Sequence, residues 1–276
     1  DFILRPKKWQ DYIGQNQVKN NLIVIIDAAK IRKEPIDHIL LYGQAGLGKT
    51  TLAKLIAKEA GAPLKETSGP AIEKIGDLAA ILSNLEEGEI LFIDEAHRLN
   101  KMIEEVLYPA MESRKLNIVI GKGTGARTIS LDLPPFSLIA ATTRINLLSA
   151  PLRSRFGATF KLEYYNEEDI EEIIKRSAYL LGIGVASDGA KVLAGASRFT
   201  PRVANRLVRR TRDYMDVNKH KEITKEVAEE TLKFLDIDPL GLESYDREFV
   251  KIILEKFDGG PVGIKTIAAA LNEDTA

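Results

Sequence analysis

The 276 residues carry 39 Lys+Arg against 40 Asp+Glu, a net charge of −1, and no cysteine. Disulfide frameworks and thiolate metal sites are thereby excluded, a usage that suits a reducing cytosol, and any nucleic-acid contact must be local because there is no bulk basicity. The length suggests about two domains, the apolar run from Leu22 to Ile26 is far short of a membrane span, no charged leader opens the chain, and His38, His97 and His220 lie too far apart to suggest a zinc site.

A short extended arm is expected first, then a helix on which Val18, Leu22 and Ile25 fall at i, i+4, i+7. Ile39-Leu40-Leu41-Tyr42, ended by Gly43, reads as a buried parallel strand, and a helix follows from Lys49 to about Ala60, stopped by Gly61 and Pro63. Ile90 to Ile93 predicts a second buried strand closed by Asp94-Glu95; Leu138 to Thr143 predicts a third and Thr159 to Glu163 a fourth. Strands alternating with helices imply an α/β parallel sheet. Between the second and third strands, Leu116, Ile118 and Ile120 alternate with polar residues, Gly121-Lys122-Gly123-Thr124-Gly125 follows, and Ile129, Leu131 and Leu133 alternate again: a β-hairpin over about 115–133. From Asn166, a cap before the acids Glu167, Glu168 and Asp169, the pattern turns helical. The expected domains are 1–163, a helical 164–237 and, after a linker at 236–241, a third at 238–276 with helices at Arg247 to Lys256 and Gly263 to Leu271.

Gly43-Gln44-Ala45-Gly46-Leu47-Gly48-Lys49-Thr50 fits G-x-x-x-x-G-K-[ST] between a strand and a helix. Glycines let backbone N–H groups cradle phosphate oxygens, Lys49 supplies a positive charge and the Thr50 hydroxyl a Mg²⁺ ligand. A glycine-rich turn that binds nothing is the plainer alternative; the strand–loop–helix context favours the nucleotide. Asp94 and Glu95 at a strand end can hold Mg²⁺ through water and polarise an attacking water; alone they are two solvated turn acids. Thr142, Thr143 and Arg144 close the third strand, where a hydroxyl reaches a γ-phosphate or is bonded within its own turn. Arg153 and Arg155 are surface arginines unless a phosphate of a neighbouring subunit is near. Arg198, Arg202, Arg206, Arg209, Arg210 and Arg212 form either a phosphate-contacting or a solvated face. The hairpin's apolar edge, with little core to cover, suggests a partner site.

The phosphate loop, Phe92-Ile93-Asp94-Glu95-Ala96-His97-Arg98-Leu99, Ala141-Thr142-Thr143-Arg144, Pro151-Leu152-Arg153-Ser154-Arg155-Phe156-Gly157 and Thr200-Pro201-Arg202-Val203-Ala204-Asn205-Arg206 stand in this order. Together with Leu4-Arg5-Pro6-Lys7, Tyr12-Ile13-Gly14-Gln15 and Leu131-Asp132-Leu133-Pro134-Pro135-Phe136, they make the whole chain resemble the RuvB family, AAA+ motors of bacterial Holliday-junction branch migration. The resemblance implies a P-loop ATPase domain, a helical lid and a winged helix. It also implies ATP and Mg²⁺ as cofactors, DNA (the junction and its duplex arms) and a RuvA-like protein as partners, a hexameric ring and a cytoplasmic place in recombination and repair.

By position, the resemblance makes Lys49, Asp94, Glu95, Thr143 and Arg155 catalytic, with Thr50 and Asp94 at the metal. Arg155 looks like the arginine finger that completes a neighbour's site, and Arg202 like the second sensor. Nucleotide contacts are implied at Leu4, Arg5, Tyr12, Ile13, Gly46, Leu47, Gly48, Lys49, Thr50, Thr51, Arg155, Tyr165, Pro201 and Arg202. RuvA docking is implied at Leu116, Ile118, Ile120 and Ile129. Gln44-Ala45 stands where the family usually has Pro-Pro, and Phe199 where it usually has Gly. The winged helix is expected to be incomplete, with its basic wing absent. A clamp-loader ATPase, a DEAH-type helicase suggested by Asp94-Glu95-Ala96-His97, and a non-hydrolysing nucleotide-dependent switch or scaffold are the rival readings.

Overall fold

Three largely apolar runs lie side by side between two more polar edge runs in one parallel sheet. The computed structural model describes residues 3–120 and 127–273, apart from the side chains of Val119, Ile120 and Arg127. The chain divides into two units, residues 5–164 and the chain from Tyr165 onward joined by Leu4.

In the first unit the elements run α1 (Asn16–Arg32), β1 (Ile39–Tyr42), α2 (Lys49–Ala60), β2 (Leu64–Ser68), α3 (Ile75–Ser83), β3 (Ile90–Asp94), α4 (Lys101–Ser113), β4 (Lys115–Ile120), β5 (Arg127–Asp132), β6 (Ser137–Thr142), α5 (Ala150–Arg153) and β7 (Ala158–Lys161). The sheet order is β2-β3-β6-β1-β7, every pair parallel. Strands β1, β3 and β6 are buried almost throughout, hence their unbroken apolar runs. Helix α1 buries Val18, Leu22, Ile26 and Ala29 on one face, while Ile25, expected at i+7, is half-buried at its margin. Leu78, Leu82, Ile103 and Leu107 of α3 and α4 close the core over Leu91, Ile93, Leu138 and Ala140.

Strand β2 escapes the sequence reading. Leu64-Lys65-Glu66-Thr67-Ser68 is an edge strand paired only to β3 and half in solvent, so it needs no apolar run.

The hairpin pairs β4 with β5 in antiparallel register, Leu116 opposite Leu131 and Ile118 opposite Ile129, which puts all four on one face. That face emerges from the core. Leu116 is 0% exposed and packs with Leu107, Ala110 and Leu133, whereas Ile129 and Leu131 are 43% and 41% exposed. The expectation that Leu116 meets a partner is therefore corrected: β4 begins directly after α4, above the core, so its first apolar side chain roots the hairpin. Ile118 is half-buried against the same cluster. The Ile120 side chain and the Gly121 to Gly125 turn lie outside the described residues.

The second unit holds α6 (Glu167–Leu180), β8 (Gly184–Val185), α7 (Ser187–Gly195), α8 (Pro201–Asn218), β9 (Glu222–Ile223), α9 (Lys225–Phe234), α10 (Ser244–Phe257) and α11 (Ile264–Leu271). Asn166 caps α6, its Oδ1 accepting from the Asp169 N–H at 2.7 Å. Ile170, Ile174, Leu193, Leu207, Val208 and Ala228 are fully buried. The stretch read as a linker is firmly bonded: Asp238 Oδ1 accepts from the N–H groups of Leu240 and Leu242, and Arg247 donates to the Asp236 carboxylate at 2.6 Å. Four arginines of the basic cluster are ion-paired within the unit, Arg198 to Asp246, Arg206 to Glu243, and Arg210 and Arg212 to Asp213. Most of that cluster is thus engaged internally. Among the described residues no helix is long and apolar enough to cross a membrane.

Candidate active site

The loop between β1 and α2 is shaped by close backbone approaches. Gly43 has φ +141°, and a Cβ there would stand 2.4 Å from the Leu162 carbonyl oxygen. Gly48, at φ +93°, immediately precedes α2, and its Cβ would meet the Tyr12 hydroxyl at 2.9 Å. Tyr12 is buried and its hydroxyl lies 3.4 Å from the Leu47 carbonyl, so it packs over the loop. Lys49, itself buried, donates from Nζ to the carbonyl oxygens of Gly43 and Gln44, each at 2.7 Å. The N-terminal end of α2, with its positive dipole, and this ammonium together suit an anion.

Strand β6 separates β1 from β3, so the loop and the acids meet across its end. The Thr50 hydroxyl donates to Asp94 Oδ2 at 2.7 Å, while Asp94 Oδ1 accepts from the Glu95 N–H at 2.9 Å. Glu95 has φ +49°, a left-handed conformation that ends β3 at once and leaves its carboxylate exposed beside the loop's partner Asp94. Thr142 ends β6 and is buried; its hydroxyl bonds His97 Nδ1 at 3.0 Å and accepts from the Arg144 N–H at 2.9 Å. Of the two threonines, Thr142 is thus the one bonded in its own turn, and half-buried Thr143 follows it. Burial holds the His97 imidazole below its usual range against the opposing charge of Glu95. His97 ties the acid turn to β6, a link that nothing in the sequence spacing signals.

Arg155 follows α5, and its guanidinium is engaged by none of these groups. Nη1 donates to the Pro151 carbonyl at 2.7 Å, Nη2 pairs with Glu112 at 3.1 Å, and the group lies 4.8 Å from the centroid of the Tyr108 ring. Tyr108 is fixed in turn by the Ser149 hydroxyl at 2.7 Å, and buried Glu104 accepts from the Ser149 N–H at 3.3 Å.

The remaining expected contacts divide between the units. Exposed Arg5, half-buried Ile13 and Thr51 belong to the first with Tyr12. Leu4, Tyr165, Pro201 and Arg202 belong to the second. There the Arg176 guanidinium donates to the Leu4 carbonyl at 2.8 Å, the Tyr165 N–H donates to the Phe199 carbonyl at 3.0 Å, and Pro201 opens α8 with exposed Arg202 beside it.

Known proteins share this arrangement from end to end. Residues 4–162 match the Holliday junction DNA helicase RuvB P-loop domain, residues 165–238 the RuvB AAA lid domain and residues 239–276 the RuvB C-terminal winged helix domain. Among solved structures, the Thermotoga maritima RuvB Holliday junction branch migration motor is 45% identical with a TM-score of 0.89, over 99% of this chain and 86% of that one. A point variant of the same protein is also 45% identical, with a TM-score of 0.90, over 99% and 87% of the two chains. A phosphate loop joined to strand-end acids, a bundle of lid helices and three consecutive domain matches have one reading: the chain belongs to the RuvB family, nucleotide-binding AAA+ proteins.

Proposed function

We propose that this chain is an ATP-hydrolysing motor that drives branch migration of Holliday junctions in recombination and repair. In this reading it works in the cytoplasm as a homo-hexameric ring on duplex arms, with a RuvA-like junction-binding protein. Its ATPase domain spans 1–163, its lid 164–237 and its winged helix 238–276. The observation that carries the reading is the 2.7 Å bond from Thr50 to Asp94, which brings the phosphate cradle and a pair of acids to one spot.

Two hard oxygens, Thr50 Oγ1 and the Asp94 carboxylate, suit Mg²⁺, which takes few protein ligands and completes its shell with phosphates and water. Thr50 and Asp94 are the residues that would hold the ion, and it would supply positive charge against the phosphates of the nucleotide. Gly46, Leu47, Gly48 and Thr51 line the phosphates, and Leu4, Arg5, Tyr12, Ile13, Tyr165, Pro201 and Arg202 are further nucleotide contacts. Lys49 exchanges its own loop carbonyls for β- and γ-phosphate oxygens. Glu95 takes a proton from water as the water oxygen bonds the γ-phosphorus; the bond to the β–γ bridging oxygen breaks, releasing ADP and phosphate. Thr143 hydrogen-bonds the γ-phosphate or the water. Arg155, whose own-subunit partners lie outside the phosphate loop, serves the adjoining subunit, where it neutralises developing charge.

Glu95 separates this reading from a passive nucleotide scaffold, and the exposed hairpin face of Ile129 and Leu131, with half-buried Ile118, favours a junction-protein partner over a clamp-loader role. The test is ATP turnover of Arg155→Ala on duplex DNA. Turnover falls on the order of 10³-fold with thermal unfolding intact; a wild-type rate would overturn the proposal.

A further inference from the structure

The three groups around Arg155 differ in kind. The Pro151 carbonyl is backbone, and Tyr108 is held by Ser149, so neither can leave. The Glu112 side chain is 68% exposed and can swing into water at little cost, while the Arg155 side chain is 27% exposed. A carboxylate paired with a guanidinium occupies the donors and cancels the charge that a phosphate oxygen would meet. The held pose also leaves the buried Arg155 Nε without a hydrogen-bond partner, so leaving it forfeits no bond at that atom.

We propose that Glu112 is a positioning residue that restrains Arg155: it competes, within the subunit, with the neighbouring subunit's γ-phosphate for the same guanidinium. The inference rests on the trans role of Arg155 proposed above. Glu112 lies in the last turn of α4, just before the left-handed Arg114 that leads into β4, so the restraint sits at the root of the hairpin. An exposed ion pair is weak, and its removal frees Arg155 by a correspondingly small factor, about two- to fivefold.

The experiment mixes two full-length variants on duplex DNA. Lys49→Ala subunits supply Arg155 but do not hydrolyse; Arg155→Ala subunits keep the phosphate loop but supply no arginine. Turnover restored on mixing comes from interfaces where the first serves the second. Adding Glu112→Gln to the Lys49→Ala subunit raises the restored rate about two- to fivefold, and adding it to the Arg155→Ala subunit does not raise it. A rate that stays the same, falls, or rises equally with either placement would overturn the restraint. If the unmodified pair restores no turnover, the trans role itself fails and the restraint with it. Glu112→Ala, which removes the hydrogen-bond acceptor as well, repeats the donor-side rise.

Discussion

Helices α2 and α8 are both approached through left-handed backbone, α2 directly at its N-cap Gly48 and α8 one extended residue earlier, before Thr200, and the two approaches are built from opposite residues. Ahead of α2 the chain uses Gly46 at φ +85° and Gly48 at φ +93°. Ahead of α8 it uses Arg198 at φ +52° and Phe199 at φ +54°, side chains in a conformation that costs about 1 kcal/mol each. Two things set the glycines apart: their angles fall outside the small left-handed region, about +50° to +70°, that side chains enter, whereas those of Arg198 and Phe199 fall inside it, and a Cβ would also need open space. At Gly48 that space is filled by Tyr12. The Arg198 side chain instead donates from Nε to the Gly241 carbonyl at 2.7 Å and pairs with Asp246, while Phe199 is 47% exposed. The first turn must admit a phosphate, and the second has only to set the direction of a helix.

The largest effect that sharpens this contrast is expected of Gly48→Ala. A Cβ at φ +93°, 2.9 Å from the Tyr12 oxygen, strains the loop by about 1–3 kcal/mol, a loss of about 5- to 150-fold in nucleotide affinity measured by titration with a fluorescent analogue. Adding Tyr12→Phe removes the close oxygen. Partial recovery marks the contact as the main cause; no recovery assigns the whole loss to the dihedral. Unchanged affinity in Gly48→Ala would break the comparison.

The same contrast explains how much could be read beforehand. The Gly43 to Thr50 loop is contiguous, and its neighbours are a buried strand and a helix, so spacing alone exposes it. The acids Asp94 and Glu95 are legible because β3 is an unbroken apolar run that stops at them. Strand β2 was not, since an edge strand needs no apolar signature, nor was the two-residue β8–β9 pair. For the hairpin, alternation marks a face but not the height at which it leaves the core, hence the reversal at Leu116. The Arg155 cradle was silent for a different reason: Glu112 lies 43 positions away and joins it through the packing of α4 against α5. Thr142 and Thr143 differ by one position in sequence, and only the His97 and Arg144 bonds show which is fixed.

A middle-sized effect belongs to Arg198→Gly. Burial works to raise the Asp246 carboxyl, yet the Glu243 N–H and the charges of Arg198 and Arg247 together hold it below the usual carboxylate range. Glycine relieves about 1 kcal/mol of left-handed strain. It also removes the bond to Gly241 and the Asp246 pair, charge-assisted contacts worth about 2 kcal/mol together once their exposure is allowed for. The expected net is a loss of about 1 kcal/mol in urea unfolding; a gain would mean the clamp contributes nothing and only the backbone matters.

Phe199→Gly carries the smallest effect and the cleanest reading. A half-buried phenylalanine ordinarily contributes about 1–1.5 kcal/mol of burial. At this position glycine returns about 1 kcal/mol by removing the left-handed strain. The two nearly cancel, and the Phe199 carbonyl that accepts from Tyr165 is retained whatever the side chain. Stability should therefore shift by less than about 0.5 kcal/mol, against about 2 kcal/mol for a half-buried phenylalanine in unstrained backbone, where glycine's chain entropy adds to the loss. A loss approaching that second figure in denaturant unfolding would show that no strain is stored ahead of α8, and the difference between the two helix starts would reduce to a difference in neighbours.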